Sequence, residues 1–305
     1  MREQVYITDV GPRDGLQNET SMVPTSAKIA FVEALVEAGS KQIEVTSFVH
    51  PKWVPQMADA HAVFTGLTRQ PDVRYLVLVP NMRGYERARE AGCEAIALFT
   101  AASEGFNRAN INMNVDESLA VFREVATQAH KDGVAVRGYV STVFECPYDG
   151  PVEPAAVDHV VQTLRDIGCY EISLGDTIGV GTPRHVKSLL DVLLKTVPVD
   201  QLVMHFHDTW GMGTANVAES LEYGIRRFDS SAGGLGGCPY AKSATGNVPS
   251  EDVVYLLDSL GYETGIDLDK VVLATEALAK HLDHALPSRV HQAVAKRLQS
   301  ASKTS

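Results

Sequence analysis

The sequence predicts a (β/α)8 TIM barrel, an α/β fold with a closed parallel sheet, here with additional C-terminal helices. Three observations predict it. Strand-like and helix-like segments alternate along the chain, eight strands can be counted, and unusual polar residues fall just after the strands' C-terminal ends. A doubly wound open sheet is the alternative architecture. The chain has 305 residues, a length that such barrels often reach as one domain. A single catalytic domain is expected over residues 1–299, flanking helices included, with a disordered tail over 300–305.

The elements follow in order. Val5 to Val10 reads as a strand, then Ser26 to Ala38 as a helix with Ile29, Val32, Leu35 and Val36 on one face and Gly39 as its stop. Gln42 to Val45 and Val73 to Val79 are strands, and a helix from Arg83 to Ala91 is stopped by Gly92. Ala95 to Phe99 is a strand, followed by an amphipathic helix from Asp116 to Lys131 carrying Leu119, Phe122 and Val125. Val134 to Val140 is a strand, and Pro154 to Ile167 a helix with proline in its first turn. Tyr170 to Leu174 is a strand and Pro183 to Leu194 a helix. Leu202 to Phe206 is the seventh strand, followed by a helix from about Thr214 to Tyr223. Arg227 to Asp229 is a short eighth strand, before a helix from Ser250 to Leu260. Helical patterns around Leu268 to Leu282 and Ser288 to Leu298 flank the barrel.

Composition narrows the function. With 45% hydrophobic and 21% charged residues the chain is of ordinary globular type. A net charge of −11 and the absence of a basic, aromatic-interleaved stripe argue against nucleic acid as a partner. No stretch approaches the roughly 20 apolar residues that cross a bilayer, so no membrane role is expected. The N-terminus enters a strand almost at once, which makes a cytoplasmic location the expectation. Cys93, Cys146, Cys169 and Cys238 are far apart and form no C-x-x-C pair, so disulfides are not expected.

The most informative motif is His205-Phe206-His207 at the end of an apolar strand. Strand side chains alternate faces, so both imidazoles point to one side and make a half-site for a divalent metal. On the motif alone, two core histidines bonded to carbonyls fit equally well. The other polar residues tip the balance. Arg13 and Asp14 follow strand one, Glu44 lies in strand two, Asp176 follows strand six and Asn247 closes the loop after strand eight. Catalytic groups of a barrel come from that rim. Asp14, His205, His207 and Asn247 together offer two nitrogens and two oxygens, a set suited to Mg²⁺ or Mn²⁺. Asn247 is the weakest of the four, because after Gly246 its residue type also suits a left-handed turn. The loop Ala232-Gly233-Gly234-Leu235-Gly236-Gly237-Cys238 lacks P-loop spacing and reads as a mobile segment carrying Cys238 over the mouth for proton transfer or nucleophilic work.

Val10-Gly11-Pro12-Arg13-Asp14-Gly15-Leu16-Gln17-Asn18-Glu19 resembles the opening signature of the 3-hydroxy-3-methylglutaryl-CoA lyases. Thr46-Ser47-Phe48 through Pro51-Lys52-Trp53-Val54-Pro55-Gln56-Met57, Gly168 to Pro183 and Gly234 to Tyr240 resemble further segments of that family, within the DRE-TIM metallolyases. The resemblance implies divalent-metal-dependent retro-Claisen cleavage of 3-hydroxy-3-methylglutaryl-CoA to acetyl-CoA and acetoacetate, with no organic cofactor beyond the CoA of the substrate. It implies Asp14, His205, His207 and Asn247 as metal ligands. Arg13, Glu44, Asp176 and Cys238 would be catalytic, with Asp14 a ligand and possible base. Candidate substrate contacts are Arg13, Gln17, Ser47, Lys52, Asn81, Arg108, Ser173 and Thr177. A homo-oligomer, dimer or tetramer, is expected.

The chain departs from the family pattern at Gly105, Phe206, Trp210 and Met212, which leaves the acyl chain open. A lyase for citramalyl-CoA or an isoprenoid-extended hydroxyglutaryl-CoA is therefore the alternative. A synthase of the same superfamily is disfavoured by the Gly-rich cysteine loop. A catalytically silent CoA-binding protein is disfavoured by the complete set of site residues.

Overall fold

The computed structural model describes residues 2–236 and 246–302. Its strands in chain order are β1 (Tyr6–Asp9), β2 (Gln42–Ser47), β3 (Arg74–Leu78), β4 (Ala95–Ala101), β5 (Ala135–Ser141), a hairpin of β6 (Glu145–Cys146) and β7 (Gly150–Pro151), β8 (Ile172–Asp176), β9 (Leu202–Phe206) and β10 (Arg227–Ser230). Eight of them close a parallel barrel in the order β1-β10-β9-β8-β5-β4-β3-β2, with β2 paired back to β1. Around it lie α1 (Thr25–Glu37), α2 (Ala60–Gly66), α3 (Met82–Glu90), α4 (Glu104–Ile111), α5 (Val115–Lys131), α6 (Pro154–Ile167), α7 (Pro183–Leu193), α8 (Gly213–Glu222) and α9 (Ser250–Ser259). Two further helices, α10 (Leu268–Ala279) and α11 (Arg289–Ser302), pack on α1 and α9. The expected closed barrel with C-terminal helices is therefore the fold.

Local chemistry sets the helix ends. Asn114 and Glu117 form a reciprocal capping box that satisfies backbone donors at the start of α5. Pro154 opens α6, and Gly168 ends it at φ +94°, a conformation that an L side chain resists. Three features lie outside the sequence expectation. The short helix α2 fills the unit after β2, α4 precedes α5, and the β6–β7 hairpin follows β5. The tail expected from residue 300 begins too early, because α11 continues through Ser302.

The alternation of strand side chains divides the barrel into two chemistries. Ile172 and Leu174 on β8, with Leu202, Met204 and Phe206 on β9, belong to the apolar core under the helices. The intervening residues Arg137, Tyr139, Ser173, His205 and Asp229 are buried yet polar, and bond one another across the lumen. Phe206 thus packs in the apolar core, on the opposite face of β9 from its flanking histidines.

Candidate metal and catalytic site

Residues 11–15 leave β1 in a tight turn whose backbone folds onto Val10: the N–H groups of Arg13 and Gly15 both donate to its carbonyl, at 3.2 and 3.1 Å. Gly15 is needed there, because a Cβ would meet Leu235 Cβ and Ser231 Oγ at 2.9 Å. The turn aims Arg13 and Asp14 at the C-terminal mouth. Arg13 is buried, with Nη1 2.8 Å from Asp14 Oδ1 and Nη2 2.7 Å from Glu44 Oε2. Burial works against its charge, but the Glu44 and Asp14 carboxylates outweigh it and keep the guanidinium firmly protonated.

Asp14 is the hub. Its Oδ1 also accepts from Gln17 Nε2 at 3.0 Å, and its Oδ2 accepts from Asn247 Nδ2 at 2.8 Å. His205 Nε2 and His207 Nε2 lie 3.9 and 4.0 Å from Asp14 Oδ2. That is too far for hydrogen bonds but within the roughly 4.2 Å that spans two ligands of one small cation. Ligand atoms of Asp14, His205 and His207 fall within 4.8 Å of one another.

The donor set fits an ion. Asn247 Oδ1 is buried with no hydrogen-bond partner among the described residues, a costly state unless something else engages it. His205 Nδ1 contacts Asp229 Oδ2 at 3.1 Å. A carboxylate there fixes the proton on Nδ1 and leaves the Nε2 lone pair facing Asp14. Burial pushes the His207 imidazole down to about 4, with the neighbouring His205 adding to the effect, so it stays neutral and ready to ligate. Burial opposes a charge on His205 too, yet Asp229 and Asp14 hold it above its ordinary range. Asn247 is no left-handed turn residue, since only Asn112 and Thr142 among described non-glycine residues have positive φ. It forms an antiparallel bridge with His207 instead.

The remaining sequence candidates divide. Glu44 is fully buried, and a register shift between Glu44 and Thr46 marks an irregularity in β2 beside it. Asp176 ends β8 and accepts from the N–H groups of Val180 and Gly181; burial lifts its carboxyl to about 7 despite them. Ser47 and Ser173 are buried, bonded to the Leu78 carbonyl and to Asp229. Thr177 Oγ1 accepts from Thr142 N–H at 2.7 Å. Asn81 caps α3 through Gly84 N–H, at the edge of a recess of about 420 Å³ shared with His50, Trp53 and Arg83. Lys52 and Arg108 are exposed, the latter 3.9 Å from Glu104. Cys238 lies outside the described residues. Gly105 earns its place through close approach: its N–H donates to Asp149 Oδ2 at 2.7 Å, and a Cβ would meet that carboxylate at 2.3 Å. Trp210 and Met212 are exposed on the loop after β9.

Sequence reasoning passed over Arg137, Tyr139 and Asp229. Arg137 is fully buried in the lumen, with contacts of 2.6 Å to Asp229 Oδ1, 2.8 Å to Glu171 Oε1 and 2.6 Å to Tyr139 Oη. Tyr139 Oη donates in turn to Glu44 Oε2 at 3.2 Å. The available signal was an arginine and an aspartate on the inward positions of otherwise apolar strands.

A family model described as HMGL-like matches residues 4–278. The chain belongs to that family. The mitochondrial hydroxymethylglutaryl-CoA lyase of Arabidopsis thaliana is 50% identical over 96% of this chain. The chain spans 63% of that protein's length, and 90% of the similarly named Bos taurus protein, also 50% identical. A crystal structure of hydroxymethylglutaryl-CoA lyase from Pseudomonas aeruginosa superposes with TM-score 0.95 at 48% identity, covering 97% of this chain and 99% of that one. The relatives' names include mitochondrial and cytoplasmic forms, and among the described residues no helix is long and apolar enough to cross a membrane.

Proposed function

We propose that this chain is a divalent-metal lyase that cleaves 3-hydroxy-3-methylglutaryl-CoA to acetyl-CoA and acetoacetate. One observation carries the reading: Asp14, His205, His207 and Asn247 converge beside Arg13 at the mouth of a barrel whose whole length is similar to named lyases. Mixed nitrogen and oxygen donors without thiolate favour Mg²⁺ or Mn²⁺. When bound, the ion supplies Lewis acidity that lowers the pKa of the substrate hydroxyl.

The reaction removes the 3-hydroxyl proton, converts that carbon to a ketone and breaks C2–C3, leaving the electron pair in a thioester enolate that then takes a proton. Arg13 holds fixed positive charge where negative charge develops. Burial favours the neutral Asp14 carboxyl, but Arg13 and the histidines hold it below the usual carboxylate range, which suits a ligand better than a base. Asp14 is still assigned as the possible base, and Asp176, its oxygens held by the Val180 and Gly181 N–H groups and its carboxyl lifted by burial, is assigned with Glu44 to tuning the network. Cys238 is assigned the proton delivered to the enolate carbon. Purified protein assayed on a thioester panel, with and without chelator and with Mg²⁺ or Mn²⁺ restored, tests the proposal. Expected is selective, metal-restored cleavage of the named thioester. Preference for citramalyl-CoA or an extended analogue, or turnover untouched by chelation, overturns it.

A further inference from the structure

The lumen below the mouth carries a closed circuit of polar contacts, and its two arms end on different parts of the site. One arm runs from Arg137 through Asp229 to His205 Nδ1, at 2.6 and 3.1 Å. The other runs from Arg137 through Tyr139 Oη and Glu44 Oε2 to Arg13, at 2.6, 3.2 and 2.7 Å. Asp14 closes the ring, 2.8 Å from Arg13 Nη1 and 3.9 Å from His205 Nε2. We infer that Arg137 is a positioning residue that locks the metal-ligating face and the catalytic arginine into one register, the first through Asp229 and the second through Tyr139. The inference rests on the proposed metal-lyase reading.

The physics of each link supports a positioning role. Arg137 is wholly buried, and its planar guanidinium meets three partners in fixed directions, which a flexible ammonium would not do. Asp229 uses one oxygen for Arg137 and the other for His205, with Ser173 Oγ donating to that same oxygen at 2.7 Å. Both Asp229 oxygens are thus engaged by donors, which fixes the carboxylate as the acceptor behind His205 Nδ1. An amide at position 229 cannot serve both partners as an acceptor at once. It either releases Arg137 or presents N–H to His205 Nδ1 and favours the tautomer whose Nε2 lone pair is gone. On the other arm, the Tyr139 ring lies under both guanidiniums, 4.7 Å from Arg137 Cζ and 5.6 Å from Arg13 Cζ. Its hydroxyl accepts from Arg137 and donates to Glu44, so the arm has one removable atom.

The two arms make separable tests. Asp229→Asn and Tyr139→Phe are compared with the parent by calorimetric titration of metal-stripped protein with Mn²⁺, by kcat and KM on the thioester, and by thermal melting. Asp229→Asn is expected to weaken Mn²⁺ binding by about 10–100-fold, the usual cost of losing a partner of a ligating histidine. Tyr139→Phe is expected to leave Mn²⁺ affinity within about twofold and to lower kcat by roughly tenfold with KM little changed. Arg137→Lys, which keeps the charge without the fork, is expected to impair both readouts. Parent-like Mn²⁺ affinity in Asp229→Asn overturns the inference. So does an equal loss of affinity in both single-arm variants, or losses that only track a lowered melting temperature. If the parent binds Mn²⁺ but does not cleave the thioester, the functional reading fails while the metal-affinity contrast still judges the circuit.

Discussion

Glu44→Gln measures how much of the reaction depends on the carboxylate that grips Arg13. Glu44 is fully buried, contacts Arg13 Nη2 at 2.7 Å and accepts from Tyr139 Oη at 3.2 Å. Glutamine keeps the shape and both contacts but removes the charge. In the variant the bond is still made by a charged guanidinium but no longer between two opposite charges; passing from the upper to the lower end of the roughly 1.5–3 kcal/mol range for hydrogen bonds to charged groups loses roughly 1–1.5 kcal/mol of Arg13 orientation. If that orientation is needed in the transition state, kcat falls by about 5–12-fold. Stability should change less, because burial raises the Glu44 carboxyl in spite of Arg13, and the neutral amide escapes that cost. Glu44→Ala differs: it leaves a buried guanidinium half-paired, which costs about 3–5 kcal/mol, a large share of a typical 5–15 kcal/mol stability. The assay is kcat from acetyl-CoA release at saturating metal, beside a melting curve. Full kcat in Glu44→Gln, or an alanine variant as stable as the glutamine one, refutes the reasoning.

Further outcomes are expected. Asp9 accepts from Gly11 N–H at 2.9 Å and Ser250 Oγ at 2.7 Å, and burial lifts its carboxyl from 3.8 to about 7. The folded state therefore holds the extra proton more tightly, and this group's contribution, complete below about pH 4, is lost as pH rises through 7. Asp9→Asn should gain on the parent over that window, by about 4 kcal/mol at most, and parallel melting-temperature profiles from pH 4 to 8 would contradict it. His205→Ala should lose bound metal and turnover together, checked by elemental analysis beside the assay. Cys238→Ser should keep its metal and lose most turnover; full activity removes Cys238 from the mechanism. Gly105→Ala should push Asp149 away and lower stability by about 1 kcal/mol, read by denaturant titration.

What the sequence discloses here is what depends on local periodicity or on one end of a strand. The barrel strands show as apolar runs at regular spacing, and His205 and His207 share a face because strand geometry requires it. The short helices α2 and α4 and the two-residue strands of the hairpin carry too few periods to register. Asn247 shows the same limit at one residue. Its local context, after a glycine, suggests a turn, whereas its conformation is set by the bridge to His207, 40 positions away by their numbers. Arg137 and Asp229 are hidden for a related reason. They are 92 residues apart, on strands that are not neighbours in the barrel, and meet only because closure brings opposite walls together. A charge on the inward face of a buried strand is visible in the sequence, but the partner that makes it tolerable is not. Burying such a charge is unfavourable unless it is fully paired. An inward arginine in a strand that otherwise reads as core is therefore itself evidence for an opposing acid, and inward Asp229 is the residue to seek in a closed barrel whose metal-side histidine needs a carboxylate behind it.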